Sequence, residues 1–223
     1  MEEHRVKILD TVSVTHDVRL FRVEKPAGYS FKPGQATEVA INKQGLKEKK
    51  RPFTFTGLPD DDDLEFIIKT YPSHNGVTDE LHQLNKSDEL ILHDVFGTIA
   101  YQGKGVFIAG GAGITPFIAI FRYLQAKNEI DGNMLIFGNK TKADIILKEE
   151  LENLFGEAFI NILSDEKAEG YAHGMITEDF LRQHITDFGK KFYVCGPPPM
   201  MKTVLKHLSN LGVDESSIVK EEF

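Results

Sequence analysis

The sequence predicts two domains in one chain: a small antiparallel β-barrel over residues 1–102, then an α/β domain with a parallel sheet over residues 103–223. Three observations predict this. Up to about residue 100, short strand-like runs are separated by turn signals, with one brief helical pattern among them. From residue 103 onwards, strand-like and helix-like runs alternate in a βα repeat, which implies a parallel sheet covered by helices on both faces. Between the two lies the most apolar stretch of the chain, GVFIAGGAGITPFIAIF at 105–121, with three glycines and a proline in its middle. A chain of 223 residues can bury a real core as one large domain or two small ones.

The barrel elements follow in order as RVKILDTVSV, VRLFRVEK, ATEVAIN, RPFTFTG, DLEFIIKTY and DELILHDVF. Turns such as KPAG, KPGQ, GLPDDDD and SHNGV separate them, and TDELHQL at 78–84 is the one helical pattern. RPFTFTG, residues 51–57, stands out. As structure it is a strand with Phe inward and Thr outward; as chemistry it offers a guanidinium for a pyrophosphate, an aromatic face and a hydroxyl beside it.

In the second half GVFIAG is a strand and TPFIAIFRYLQAK a helix, NMLIFGN a strand and ADIILKEELENLF a helix. FINILSD and KFYVCG are strands, each followed by a helix, MITEDFLRQHI and PPMMKTVLKHLSNLG. Thr115 fits an N-cap and Pro116 the first helical position. The glycines Gly110, Gly111 and Gly113 therefore sit between a buried strand and a helix N-terminus, where backbone N–H groups and the helix dipole favour an anion. The same glycines equally suit a tight packing turn with no ligand, and Gly111-x-Gly113-x-x-Pro116 departs from the dinucleotide fingerprint, whose third position is Gly or Ala. A second glycine-bearing turn, Cys195-Gly196-Pro197-Pro198-Pro199, follows another strand. Ligands of such sheets lie outside the C-terminal strand ends, so these two turns are candidates for opposite lips of one crevice.

Composition removes several function classes. A net charge of −8 argues against nucleic acid as the main partner. One cysteine, Cys195, excludes an intramolecular disulfide and a four-cysteine metal or cluster site within the chain. The eight histidines are scattered without an H-x-x-H or H-E-x-x-H arrangement, and DDDD at 60–63 lacks the spacing of a calcium loop, so no metal site is expected. A membrane span needs about 20 continuous apolar residues; residues 105–121 are shorter, broken by glycines and closed by Arg122. MEEHRVKILD shows no basic segment followed by an apolar one, so a cytoplasmic location is the default expectation.

Five motifs in one order then carry a resemblance covering nearly the whole length: FKPGQ (31–35), RPFT (51–54), GVTDEL (76–81), AGGAGITP (109–116) and YVCGPPPM (193–200). Together they resemble the ferredoxin–NADP reductase-like flavoproteins, which include flavodoxin reductases and the reductase components of oxygenases. The resemblance implies an FAD-binding barrel, an NAD(P)H-binding α/β domain, and hydride transfer from NAD(P)H to flavin N5. It implies Arg51 at the FAD pyrophosphate, Pro52 and Phe53 along the isoalloxazine, and the Thr54 hydroxyl near N5. Phe53 replaces the family's more usual Tyr and removes one phenol hydrogen bond. Ile68, Lys69 and Thr70 would give backbone contacts, Tyr71 would lie near the adenosine half, and Gly76, Val77 and Thr78 would cradle the pyrophosphate. Thr78 also reads as a helix cap, and both roles are compatible.

In the second domain the resemblance places Gly110, Gly111, Gly113, Thr115 and Pro116 on the dinucleotide. Cys195, Gly196, Pro197 and Met200 would line the nicotinamide pocket, with Cys195 positioning the ring rather than attacking it. The last residues, KEEF, match a Glu-x-aromatic ending in Glu221 and Phe223, with the ring stacked on the flavin and Glu221 near the chemistry; a frayed terminus is the equal alternative. After the second strand of this domain, Asn139, Lys140, Thr141 and Lys142 lean toward a 2′-phosphate and hence NADPH, although exposed lysines before a helix are common.

The implied acceptor is a separate ferredoxin, flavodoxin or oxygenase. A free-flavin reductase and a non-catalytic nucleotide-binding regulatory subunit are the alternatives. The basic run KQGLKEKKR (43–51) reads either as a solvated loop or as the landing place of an acidic electron-transfer partner.

Overall fold

The structure is a computed structural model, and it describes residues 3–71, 76–97 and 99–221. The chain divides into two compact units. One comprises the chain up to Ala100 together with Thr115–Tyr123; the other comprises Tyr101–Ile114 together with the chain from Leu124 onwards.

In the first unit six antiparallel strands run in the order β4-β3-β6-β1-β2-β5. They are β1 (His4–Ser13), β2 (Val18–Glu24), β3 (Ala36–Ile41), β4 (Arg51–Thr54), β5 (Asp63–Lys69) and β6 (Glu89–Phe96). The ends of this order meet. Just past β4, Phe55 bridges Phe66 of β5, and the Thr56 N–H donates to Glu65 O at 2.9 Å, which closes the sheet into a barrel. Closure removes the exposed edges that an open sheet would present.

Alternate residues fill the interior, among them Val6, Ile8, Phe21, Phe55, Phe66 and Leu92, each at most 2% exposed. Burying each such side chain contributes about 1.5–3 kcal/mol. The short helix α1 (Val77–Gln83) adds Val77 and Leu81 to this core. Its C-terminal carbonyls are held by Arg19, whose guanidinium donates to Leu84 O at 2.9 Å and to His82 O, a cation at the negative end of a helix.

Phe53 and Phe55 pack with the barrel core, as the sequence reading of this strand expected. The threonines between and beyond them are buried nonetheless: Thr54 is 9% exposed and Thr56 fully buried, and a side chain of α2 (Thr115–Ala126) reaches over Thr56. Within the same unit, Arg122 of α2 donates to Thr56 O at 2.9 Å and pairs with Glu65 Oε1 at 2.6 Å, and the Thr56 hydroxyl donates to the same carboxylate at 2.8 Å.

The second unit is a six-stranded sheet in the order β10-β9-β8-β7-β11-β12, parallel at every pairing. Its strands are β7 (Gly105–Gly110), β8 (Met134–Asn139), β9 (Phe159–Leu163), β10 (Ala172–His173), β11 (Lys191–Cys195) and β12 (Ile218–Lys220). Successive strands step outward from β7 to β10, then the chain returns to lay β11 on the other side of β7. The β7/β11 junction is therefore the topological switch point, where such sheets bind ligands. Helices α4 (Glu178–His184) and α5 (Pro198–Asn210) bring Leu181, Val204 and Leu208 onto the face carrying Val106, Ile108, Ile136 and Val194.

Two local expectations are corrected here. Thr115 is not an N-cap: a 3-10 turn over Gly111–Ile114 leads directly into α2, so the helical run opens at Gly111. The helix expected over 143–155 is shortened to α3 (Lys148–Phe155): a separate 3-10 turn over Lys142–Asp144 ends at Ile145, and Leu147, in a left-handed conformation (φ 51°), is the N-cap at which the helix starts. The short β10 and β12 had no sequence signal of their own.

Candidate functional site

The barrel unit presents the first group of candidates on β4 and β5. Arg51 is exposed, and its guanidinium donates to its neighbour Lys50 O at 2.8 Å and to no carboxylate among the described residues. Pro52 is exposed as well, while Phe53 is half-buried against the barrel core. The Thr54 hydroxyl has no hydrogen-bond partner among the described residues, whereas the hydroxyl of Thr56, two residues on, is committed to Glu65. The strand thus carries one threonine for the fold and leaves the other open.

Along β5, the pairing with β2 runs to Lys69, but the bridge to Phe55 ends at Phe66. From Ile67 onwards one edge of this strand has no partner strand among the described residues, and its backbone groups there can meet a ligand. The side chains of this segment serve the fold: Ile68 is buried, Lys69 pairs with Asp17 at 2.8 Å, and Thr70 donates to Asp17 O at 3.0 Å. Tyr71 is 44% exposed. Gly76 is the N-cap of α1, which corrects the cap reading of Thr78: that residue stands inside the first turn, beside Val77. The N–H groups of Val77 and Thr78 have no acceptor within the helix.

The sheet unit presents the second group at the switch point. β7 and β11 pair in register up to Ala109 and Cys195, so the two glycine-bearing turns leave adjacent strands at the same height. A Cβ at Gly110 would collide with Met200 Sδ and lie 3.1 Å from Pro197 Cδ. One at Gly113 would strike the carbonyl of Cys195 and lie 2.6 Å from Gly196 Cα. These two glycines are thus used for packing one turn on the other. Gly111 differs: it has φ +52° and nothing within 4 Å of its virtual Cβ, so its space is open.

Cys195 is 6% exposed. Burial, and after it the nearby Glu221 carboxylate, push the thiol up to about 12, so it is a neutral S–H. Burial likewise raises Glu221, which follows β12 directly; Val194 pairs with Lys220, so Cys195 and Glu221 leave adjacent parallel strands together. Phe223 lies outside the described residues.

At the end of β8 the Asn139 side chain is 7% exposed, with neither its Oδ1 nor its Nδ2 hydrogen-bonded among the described residues. A buried amide left so costs about 1–3 kcal/mol, and a polar ligand group would satisfy it. Lys140 is exposed, and Thr141 and Asp144 close a capping box.

Sequence reasoning weighed only the lysines here and missed two acids. The Asp165 N–H donates to Lys140 O at 2.9 Å, and Glu166 Oε2 accepts the Lys142 N–H at 2.7 Å. Asp165 and Glu166 therefore stand beside the backbone of Lys140 and Lys142, so this strand end carries acids as well as the lysines on which the lean to a 2′-phosphate rested. Their signal was present in the continuation of FINILSD into Glu166, past the end of β9.

A barrel offering an unpaired guanidinium and hydroxyl, and a parallel sheet with glycine turns at its switch point, fit the class of dinucleotide-using flavoproteins. A family model described as an FAD-binding domain matches residues 3–131, and one described as an oxidoreductase NAD-binding domain matches residues 107–206. The chain belongs to this FAD-binding family of NAD(P)H-dependent oxidoreductases.

Among its relatives is the ferredoxin–NAD(P)(+) reductase component of the naphthalene 1,2-dioxygenase system of Pseudomonas putida, 26% identical over 95% of this chain. The chain spans 66% of that relative's length. NADH-cytochrome b5 reductase 3 of Rattus norvegicus is 26% identical over 94% of the chain and 83% of its own length. A ferredoxin NADP+ reductase from Neisseria gonorrhoeae, solved with bound FAD and NADP, superposes with a TM-score of 0.86 over 99% of this chain and 98% of its own, at 19% identity. No helix among the described residues is long and apolar enough to cross a membrane.

Proposed function

We propose that this chain takes electrons from NAD(P)H onto FAD and delivers them to a separate protein acceptor, a ferredoxin, a flavodoxin or an oxygenase component. When bound, FAD supplies the redox chemistry, accepting a hydride and releasing electrons onward. The chain's own residues bind, orient and desolvate. Arg51 neutralises the pyrophosphate, supported by the N–H groups of Val77 and Thr78 and by Gly76 at the α1 cap. Phe53 lies along the flavin, and Thr54 gives it the hydroxyl that the fold leaves unused. Backbone groups of Ile68, Lys69 and Thr70 hold the remainder, with Tyr71 at the adenosine end.

The nicotinamide dinucleotide lies on the β7 turn, close to the backbone at Gly111, with Thr115 and Pro116 following. The Asn139 amide, beside Lys140, hydrogen-bonds its ribose portion. Cys195, backed by Gly196, Pro197 and Met200, gives the nicotinamide ring a neutral, desolvated contact, and Glu221 stands protonated or charged beside it according to pH.

The observation that carries this reading is the pairing of unsatisfied polar groups with open backbone where the two cofactors would sit: Thr54 in one unit, Asn139 and Gly111 in the other. An anaerobic absorbance spectrum of the FAD-loaded protein tests it. Bleaching of the band near ~450 nm on adding NADH or NADPH is expected, and the faster nucleotide names the donor. A spectrum unchanged by both overturns the reading and leaves a nucleotide-binding regulatory role.

A further inference from the structure

We propose that His93 is a positioning residue for the flavin site: its neutral ring accepts a hydrogen bond from the Lys50 ammonium and so fixes the start of β4, from which Arg51 reaches the FAD pyrophosphate. This inference rests on the proposed function and adds to it a residue outside every motif of the sequence.

The first observation is a bulge. In the pairing of β3 with β6, Thr37 stands opposite Val95 and Val39 opposite Leu92, so His93 and Asp94 together face the single residue Glu38. On its other side Glu38 pairs with Pro52 of β4, next to Arg51. A bulge of this kind re-aims a side chain and recurs beside functional sites. The bulged residue is also tied down. The His93 N–H donates to the Thr37 hydroxyl at 3.2 Å, and its carbonyl accepts from the Thr37 hydroxyl at 2.8 Å and the Tyr29 hydroxyl at 2.7 Å.

The ring itself is the second observation. His93 is 1% exposed, its Nδ1 lies 3.4 Å from Lys50 Nζ, and its buried Nε2 has no partner among the described residues. An ammonium only donates, so Nδ1 is the acceptor and the ring proton sits on Nε2. Glu3 Oε1, at 4.0 Å from the same Nδ1, is too far for a hydrogen bond. The buried ring therefore has one hydrogen bond among the described residues, and that bond goes to the residue before Arg51. The Arg51 guanidinium in turn donates to Lys50 O at 2.8 Å. Holding Lys50 by its side chain orders the backbone from which Arg51 projects and lessens the entropy lost when an anion binds there.

Four charged groups face the ring: Lys50 from the β3–β4 loop, Glu3 ahead of β1, Glu38 on β3 and Asp94 on β6. Burial, and after it Lys50, hold the imidazole below its ordinary 6.5, while the three carboxylates pull the other way. A proton on Nδ1 removes the acceptor and sets two cations 3.4 Å apart. The contact is thus complete above about pH 6.5 and is lost as pH falls through the lowered value.

The test titrates FAD into the full chain from pH 7.5 to 5.0, read by flavin fluorescence, for the wild type, His93→Gln and Lys50→Met. Thermal unfolding at each pH confines the comparison to folded protein. The glutamine amide oxygen accepts from Lys50 but does not titrate, so this variant should match the wild-type Kd within about twofold at pH 7.5. On acidification the wild-type Kd should rise about threefold more than that of His93→Gln. Lys50→Met should bind FAD more weakly at pH 7.5 and change with pH no more than His93→Gln does. Lys50 is only half-buried, so its variant decides the matter if His93→Gln does not fold. A glutamine variant that follows the wild type down the pH range overturns the proposal, as does a Lys50→Met that keeps the wild-type pH dependence. A wild type that binds no FAD at any pH is the separate failure of the reductase reading, and removes this inference with it.

Discussion

Strand β4 and the paired turns after β7 and β11, the two places at which the proposed function seats a dinucleotide, are built in opposite ways. On β4 the groups that matter are side chains the fold does not use: Arg51 bonds only its neighbour's carbonyl, and the Thr54 hydroxyl bonds nothing described. At the sheet's switch point the positions that matter are side chains that are missing, and at Gly110 and Gly113 the vacated space is already filled by Met200, Cys195 and Gly196. Binding and stability are therefore separable in the barrel and fused in the sheet. Substitutions on β4 should weaken a cofactor and spare the fold, whereas substitutions in the turns should cost the fold first.

The sharpest break in that comparison is Gly113→Ala. The added methyl meets the Cys195 backbone, which cannot rotate away as a side chain can. Overpacking of this kind costs about 3 kcal/mol, enough to lower the melting temperature by several degrees and to abolish NAD(P)H-dependent bleaching. Gly111→Ala, in the same turn, has open space and only the left-handed φ to bear, about 1–2 kcal/mol. Equal melting temperatures for the two variants would show that the turns do not press on each other.

Arg51→Ala should do the reverse. Loss of a charge-assisted contact to a pyrophosphate costs about 1.5–3 kcal/mol of binding, roughly 10- to 150-fold in FAD affinity, while the apoprotein keeps its melting temperature. Titration of FAD into the apoprotein, followed by flavin fluorescence, reads the first, and thermal unfolding reads the second. A smaller contrast lies two residues further on. Thr56→Val deprives Glu65 of a 2.8 Å donor and should cost about 1 kcal/mol of stability. Thr54→Val should leave stability alone and slow flavin reduction. If both valines behave alike in urea unfolding, the division of labour along β4 is wrong.

Much of this was legible because period and punctuation agree in the sequence. The βα repeat from Gly105 and the turn-separated runs before residue 100 match the observed strands within a residue or two, apart from RPFTFTG, whose strand stops at Thr54, since buried β-branched runs leave few alternatives. What stayed hidden depended on distant partners. TFT reads as alternating inward and outward, and nothing local says that Arg122, 66 residues away, closes over Thr56. GAG reads the same whether its glycines admit a ligand or another turn; the distinction between Gly111 and Gly113 exists only once β11 lies beside β7. Asp165 and Glu166 were visible as residues but not as neighbours of Lys140 and Lys142, because parallel pairing, not sequence proximity, unites them.

The remaining prediction concerns Cys195 and asks whether the sheet's fusion of site and fold extends to protonation. In the folded chain burial, and then Glu221, raise this thiol from the ordinary 9.0 to about 12. The folded state therefore holds the proton more tightly than the unfolded chain. The resulting stabilisation is complete below about pH 9 and is lost as pH rises toward 12. Urea midpoints of the wild type and Cys195→Ser, compared from pH 7 to 11, should run parallel up to about pH 9 and converge or cross above it as the wild type alone loses this contribution. Tyr193, also raised to about 12, titrates in both proteins and drops out of the difference. Curves parallel through pH 11 would mean that the thiol is not desolvated as its burial requires. At neutral pH the same proton makes Cys195 a poor nucleophile, so the role proposed for it beside a nicotinamide would rest on shape and polarisability, and alkylation by iodoacetamide at pH 8 should be slow until the chain unfolds.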